Sequence, residues 1–322
     1  MSRMTAALGA ASDRTLNRIL LGLIVAIVIG VPAIALVYVL DRNVDPGPPV
    51  AERAITAGEE AVRNEPNRLS NRFGLAMAYV AADRQADAIA QFTEILKVEP
   101  VHRGALLGRA DAFVTLGDLD AAARDFQALV DATAGGEMEM VDPQREAAFY
   151  GLGSIALSQA RPADAVIALT EAVKINRTDA DALNLLGAAR LQTGDTENAI
   201  KALRAALALV PTGWCEPYAQ LGAAYAAAGN SAGAQYGSGM VALCEQRIEE
   251  AEQVLTPLIE GPLAMDALIG LGLAAEERGD QTAAIDLYSR VYAADPTNFN
   301  AITGLNRLGA PGPSRVERRW LT

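Results

Sequence analysis

Two cysteines, one histidine, two Gly-Leu-Gly triplets and several adjacent carboxylates are the residues of this 322-residue chain best suited to bond formation, proton transfer or ligation. Cys215 and Cys244 open and close one predicted pair of antiparallel helices, which places them near each other. Packed helices run about 8–10 Å apart and a disulfide needs Cα atoms at about 5.5 Å. The spacing therefore predicts a Cys215–Cys244 bond where the helix ends converge, with two independent buried thiols as the alternative; an oxidising compartment favours the bond. His102 follows Pro100 in a turn, the setting of a satisfied loop residue rather than of a catalytic base. One histidine and two cysteines at these spacings make no metal cluster. Gly151-Leu152-Gly153 and Gly270-Leu271-Gly272 look like phosphate loops, but each falls within a helical pattern rather than between a strand and a helix. They read as glycines of close packing. Glu249-Glu250 and Glu276-Glu277 read as solvated helix faces with no nucleophile beside them. The expectation is no enzyme, no cofactor and no metal.

The formal net charge is −12, and 51% of residues are hydrophobic with only 5% aromatic. A nucleic-acid partner is disfavoured, since phosphate binding needs a basic face. Acidity of this size serves solubility and long-range repulsion; the sharper reading is an acidic wall that selects basic partners.

Location is set near the N-terminus. Ile19 to Leu40 gives 22 consecutive residues without a charge, long enough for a helix to cross the hydrocarbon core at about 1.5 Å per residue. Arg3, Arg14 and Arg18 precede this run and Asp41, Arg42 and Asp45 come after it, so the positive-inside bias leaves the N-terminus in the cytoplasm. A cleaved secretory signal ending near Ala33 and Ala35 is the competing interpretation, and it too exports the rest of the chain. The organisation expected is a cytoplasmic 1–18, a transmembrane helix 19–40, a proline- and aspartate-rich linker 41–49, a solenoid 50–309 and a basic-aromatic tail 310–322 that holds Arg315, Arg318, Arg319 and Trp320. The localisation this implies is a bacterial inner membrane, single-pass, with the solenoid on the extracytoplasmic side.

The elements that must position any site repeat along the chain. Leu186-Gly187, Gly194, Ala199, Leu203, Ala206-Leu207 and Pro211 share their relative spacing with Leu271-Gly272, Gly279, Ala284, Tyr288, Val291-Tyr292 and Pro296, within a period of about 34 residues. Each unit supplies two short helices that cannot bury their apolar stripes alone, so units stack. Val50 to Asn64 reads as a capping helix. Units run over Leu69 to Pro100, Arg103 to Ala134, Glu146 to Arg177, Ala180 to Pro211 and Cys215 to Cys244, then Met265 to Pro296, with Phe299 to Leu308 closing the stack. Asp83 and Ala160 stand where other units place a turn glycine, Gly135 to Arg145 reads as an inserted loop containing Met138 and Met140, and Ser231 to Glu260 reads as either one bent helix or two.

These positions resemble the tetratricopeptide repeat family over nearly all of Val50 to Leu308. The resemblance implies an all-α, right-handed solenoid of antiparallel helix pairs, here preceded by one transmembrane helix, with the first helix of each unit lining a concave face. Carried over by alignment, the inward side chains include Phe73, Met77, Leu107, Asp111, Tyr150, Ser154, Asn184 and Gln192, and farther along Asp266, Glu276 and Glu277, where the wall turns smoother and more acidic. An extended or helical peptide fits such a trough, with Phe73, Leu107 and Tyr150 as anchors and Asn184 and Gln192 hydrogen-bonding its backbone; for Phe73 and Leu107 the alternative is packing within the solenoid. The lysines of the family's carboxylate-clamp version are missing from this wall. The function implied is a non-enzymatic, membrane-tethered scaffold that binds a protein or peptide partner. The arrangement also resembles the repeat subunits that present unfolded apocytochrome to c-type haem attachment, and self-assembly into an oligomer or envelope complex is a further possibility.

Overall fold

A computed structural model describes residues 49–136 and 139–310. The expected transmembrane segment 19–40, the linker to residue 48, Met138 and the tail beyond residue 310 lie outside the described residues, and among those described no helix is long and apolar enough to cross a membrane.

The described residues hold fifteen α-helices, two short 3-10 turns and no strand. After α1 (Val50–Asn64) come α2 (Leu69–Ala81) with α3 (Gln85–Val98), α4 (Arg103–Leu116) with α5 (Leu119–Thr133), α6 (Pro143–Ser158) with α7 (Pro162–Ile175), and α8 (Ala180–Gln192) with α9 (Thr196–Leu209). Beyond them lie α10 (Cys215–Ala227), α11 (Ser231–Cys244), α12 (Ile248–Leu255), α13 (Ala264–Glu277), α14 (Gln281–Ala294) and α15 (Phe299–Arg307). Each helix packs on its sequence neighbour, and the first helices of successive units also touch one another from α2 through α10.

Short polar residues start many of these helices by accepting a hydrogen bond from an amide two or three residues on, which satisfies one of the amides orphaned at a helix start. Asp118, Asp179, Asp280 and Asn298 do so at 3.0 Å. His102 belongs to the same set: its Nδ1 accepts from the Ala105 amide at 3.1 Å, so this turn residue is the N-cap of α4.

Within each pair the turn needs a left-handed residue. Gly117, Gly194, Gly229 and Gly279 supply it at φ of 73 to 82°, while Asp83 and Ala160 adopt φ of 57° and 54° without the glycine's freedom. A Cβ in that region costs about 1–2 kcal/mol, partly offset by the smaller entropy of the unfolded alanine chain. Ala160→Gly therefore stabilises the protein by about 0.5–1 kcal/mol and Gly194→Ala destabilises it by about 1 kcal/mol. Urea midpoints at constant slope check both signs.

The glycine triplets do lie in helices. A Cβ on Gly153 would come 2.4 Å from Leu169 Cγ, and one on Gly272 would come 2.5 Å from the Tyr288 ring. These helices approach so closely that mostly alanine and leucine, with Ile269, Val291 and Tyr288, fill the space between them.

Two regions depart from the regular stack. The segment read as a loop from Gly135 to Arg145 is shorter, because α6 already begins at Pro143 behind its cap Asp142, and Glu139–Val141 forms a 3-10 turn. Arg145 locks it: its guanidinium is buried, donates to the Val130 carbonyl at 2.6 Å and to Thr133 Oγ1 at 3.0 Å, and pairs with Glu139.

Ser231 to Glu260 is two helices, α11 and α12, with a 3-10 turn after them over Thr256–Glu260. The turn between α11 and α12 carries Gln246 at φ 62°, the same left-handed device that joins the two helices of every unit. So α11 is second helix to α10 and first helix to α12, and it touches α13 as one first helix touches the next. The stack shifts by one helix here. Leu186 and Leu271 accordingly lie about two and a half periods apart.

Candidate functional site

The first helices α4, α6 and α8 stand side by side. Between α4 and α6 opens a cleft of about 370 Å³ lined by Leu107, Asp111, Val114, Tyr150 and Ser154, with Phe126 of α5 beneath. Four residues expected on the inner wall thus meet in one depression, apolar at Leu107 and Val114 and polar at Asp111, Tyr150 and Ser154. Asp111 reaches solvent, yet the crowding around it raises its carboxyl above the ordinary carboxylate range by desolvation.

The other four expected site residues are placed differently. Phe73 is half-buried in an aromatic group, its ring centroid 5.8 Å from that of Phe92 and 5.7 Å from that of His102, so it packs within the solenoid rather than standing free as an anchor. Met77 is exposed on α2, and Gln192 is exposed at the last residue of α8. Asn184 is only 3% exposed, and its Oδ1 is enclosed with no hydrogen-bond donor. It is a buried orphan acceptor, not an open rung of the wall.

Around Tyr150 lies a group of carboxylates. Glu146 on α6 faces Asp179, the N-cap of α8, and burial together with hydrogen bonding and repulsion from Asp179 pushes the Glu146 carboxyl up to about 7. Glu146 Oε1 is enclosed without a donor. The Tyr150 phenol is raised as well, first by burial and then by Asp181, Asp179 and Glu146. No counter-ion answers these charges: among the described residues, Asp111, Glu146, Asp179 and Asp181 enter no ion pair. Arg103 pairs with Asp142, Arg109 with Asp125 and Arg145 with Glu139.

The raised Glu146 carboxyl has a consequence for stability. Its folded value exceeds the unfolded one, so the folded state holds the proton more tightly; stability is full below the ordinary value of 4.5 and falls as pH climbs to about 7. Glu146→Gln should therefore raise the melting temperature at pH 8, by the equivalent of roughly 1 kcal/mol after solvent screening is discounted, and leave it unchanged at pH 4. Melting curves at the two pH values decide it.

The far wall is less acidic than its sequence suggests. Asp266 receives a two-pronged ion pair from Arg204 at 3.0 and 3.2 Å. Glu276 is no solvated face: it accepts from the Tyr288 hydroxyl at 2.6 Å and pairs with Arg307, and although burial works against its charge, these donors hold its carboxyl below the ordinary range. Beside them a cavity of about 270 Å³ is lined by Pro211, Tyr218, Met240, Leu243, Cys244 and Leu273, where the one-helix shift separates α10 from α13. Cys215 and Cys244 are joined in a disulfide with Cα atoms 5.6 Å apart, tying the start of α10 to the end of α11.

Repeat spacing alone does not single out Glu146, Asp179 or Asp181. A signal exists in part: Glu146 precedes Tyr150 by four residues and Asp181 precedes Asn184 by three, each pair on one helix face.

Among known proteins, the tetratricopeptide repeat model matches residues 73–137, 150–213 and 258–299. The chain is similar to the crystal structure of YrrB, described as a TPR protein with an unusual peptide-binding site, at 18% identity and a TM-score of 0.49, over 73% of this chain and 100% of that one. It is similar to MamA at 19% identity and a TM-score of 0.46, over 61% of this chain and 96% of the other, and to residues 41 to the end of MamA from Desulfovibrio magneticus RS-1 at 20% identity and a TM-score of 0.49, over 56% and 97%. No curated protein sequence matches the chain.

Proposed function

Because the chain belongs to the tetratricopeptide repeat family, whose model matches more than half of it, we propose that it is a non-enzymatic scaffold that holds a segment of another polypeptide in the trough formed by α4, α6 and α8. The observation that carries this reading is the cleft of about 370 Å³ where Leu107, Asp111, Tyr150 and Ser154 converge on one wall. A trough of half-apolar lining with a few fixed polar groups suits a peptide: side chains enter the cleft while polar groups set its register.

The same proposal tethers the scaffold through residues 19–40 and sets the repeats outside a bacterial cytoplasmic membrane, with the N-terminus inside. Support comes from the 22 uncharged residues and the arginines before them, and from the disulfide, which persists in oxidising compartments. Tethering raises the local concentration of the trough near the membrane surface. Among the described residues nothing in the trough singles out an apocytochrome over another polypeptide. Protease added to intact spheroplasts tests the orientation: digestion of the repeat region supports it, and full protection of everything after residue 41 overturns it.

A further inference from the structure

Two cavities that share no lining residue with the α4–α6 cleft occupy equivalent places in the repeat. One, of about 330 Å³, lies among α3, α4 and α5, and the other, of about 320 Å³, among α7, α8 and α9. Their linings correspond in order and at one constant offset: Thr93 answers to Thr170, Lys97 to Lys174 and Leu106 to Leu183. The chemistry differs at the remaining positions. In the first cavity Asp125 accepts from Arg109 Nε at 2.7 Å and from Nη2 at 2.8 Å, and Thr93 Oγ1 accepts from Nη1 at 3.0 Å. That guanidinium is satisfied from within. In the second cavity Leu186 and Ala202 replace this pair, Arg177 replaces Pro100, and Arg190 and Lys201 join the lining.

Four cationic side chains, Lys174, Arg177, Arg190 and Lys201, thus surround a floor that includes the buried Leu183, Leu186 and Ala202. Among the described residues no carboxylate lines this cavity. Arg177 and Arg190 enter no ion pair among the described residues, and Arg190 donates only a long hydrogen bond, at 3.3 Å, to the Asn198 carbonyl. Lys174 and Lys201 pair with Glu171 and Glu197 on their own helices at exposed positions, where such pairs are weak and give way to a better anion. Like charges gathered beside an apolar floor repel one another, and an anion seated among them relieves that repulsion.

We infer that the cavity among α7, α8 and α9 binds a phosphate monoester with an apolar body. A monoester carries about −1.5 to −2 charge at pH 7 and three acceptor oxygens, enough to meet two guanidinium forks at once. A single carboxylate is filled by one fork. The apolar floor favours an ester over inorganic phosphate, because it covers a ring or hydrocarbon that the bare ion lacks. The rest of the chain favours a compact ligand over an acidic polypeptide or a nucleic acid. An extended polyanion would lie along a chain of net charge −12, whereas a group held within the cavity is screened from charges more than about 8 Å away. A lipid phosphate and a soluble phosphate ester share this chemistry.

The test is calorimetric titration of the full chain, in phosphatidylcholine nanodiscs, with phenyl phosphate, inorganic phosphate and benzoate. Phenyl phosphate is expected to bind at least tenfold more tightly than either of the others. Arg177→Gln combined with Arg190→Gln should cost at least tenfold. Arg53→Gln combined with Arg290→Gln, which removes the same charge from exposed positions elsewhere, should change binding less than twofold. Should the first double variant melt early, Lys174→Gln with Lys201→Gln, on exposed residues, carries the same comparison. Nanodiscs that contain phosphatidic acid separate the two sources: weakened phenyl phosphate binding there supports a lipid phosphate, and unchanged binding supports a soluble ester. No measurable binding of phenyl phosphate, benzoate or inorganic phosphate binding as tightly, or equal losses in both double variants overturn the assignment. So does a peptide alternating glutamate with alanine that displaces phenyl phosphate at equal affinity, since it would make the ligand an acidic polypeptide.

Discussion

Replacing Cys215 and Cys244 by alanine lowers the unfolding free energy by about 3.5 kcal/mol, the loop-entropy value for a closure of this length; the two residues are 29 apart in sequence. The bond joins the first residue of α10 to the last of α11, the two helices at which the stack changes phase. In a regular solenoid each unit is buttressed by an equivalent neighbour on either side. At α11 that equivalence is lost, and the cavity of about 270 Å³ beside Cys244 records the imperfect fit. A covalent tie at this joint compensates. Denaturant titration should show the loss, and hydrogen exchange should show it concentrated in α10 to α12 while α4 to α8 stay protected. Loss of less than about 1 kcal/mol would mean the joint holds by packing alone.

Gly237→Ala is expected to cost about 3 kcal/mol, the upper end of overpacking. Its Cβ would fall 2.5 Å from Gly222 Cα, 2.7 Å from Gly222 N and 2.8 Å from the Tyr218 carbonyl oxygen. All three are backbone atoms, so no side chain can swing away and the helices α10 and α11 must separate. The reciprocal change is milder: a Cβ on Gly222 would meet nothing nearer than 3.4 Å, so Gly222→Ala should cost less than about 1 kcal/mol. Gly153→Ala falls between them, since it meets the side chain of Leu169. Thermal melts of the three variants should rank Gly237→Ala lowest; a reversed order of Gly237 and Gly222 would contradict so close an approach of the two backbones.

The paired helices were readable because their spacing is a direct consequence of packing: small residues such as Gly187 and Gly272 recur wherever a large side chain, Leu203 or Tyr288, crosses from the partner helix. The phase shift at α11 was present in the same letters, as the half-period offset between Leu186 and Leu271, but Gln246 hid it. A left-handed turn without glycine leaves no mark in the sequence, and Asp83 and Ala160 blur the pattern in the same way. Half of the expected wall came together at Leu107, Asp111, Tyr150 and Ser154. Phe73 did not join them, because an aromatic at an inward position can turn either to the trough or to a neighbour, and here Phe92 and His102 capture it. Glu146 and Asp179 could not be paired from sequence at all. Their proximity depends on the angle at which α8 stacks on α6, which no local pattern encodes. The ion pairs of Asp266 and Glu276 escaped for the same reason, since Arg204 lies 62 residues from Asp266 and Arg307 lies 31 from Glu276.

The α4–α6 part of the trough is a cleft lined by apolar side chains and by Asp111, Tyr150 and Ser154, within a scaffold whose stack changes phase farther along, at α11. The central claim is that a polypeptide occupies the α4–α6–α8 wall. The most direct measurement places a photo-crosslinking amino acid at Ser154, within the cleft, and at Ile167, exposed on the second helix α7, in cells that make the protein naturally. Ser154 should yield a discrete adduct whose mass spectrum reads a segment of another polypeptide, and Ile167 should yield none. Adducts of equal strength from both positions, or from Ile167 alone, would contradict the claim.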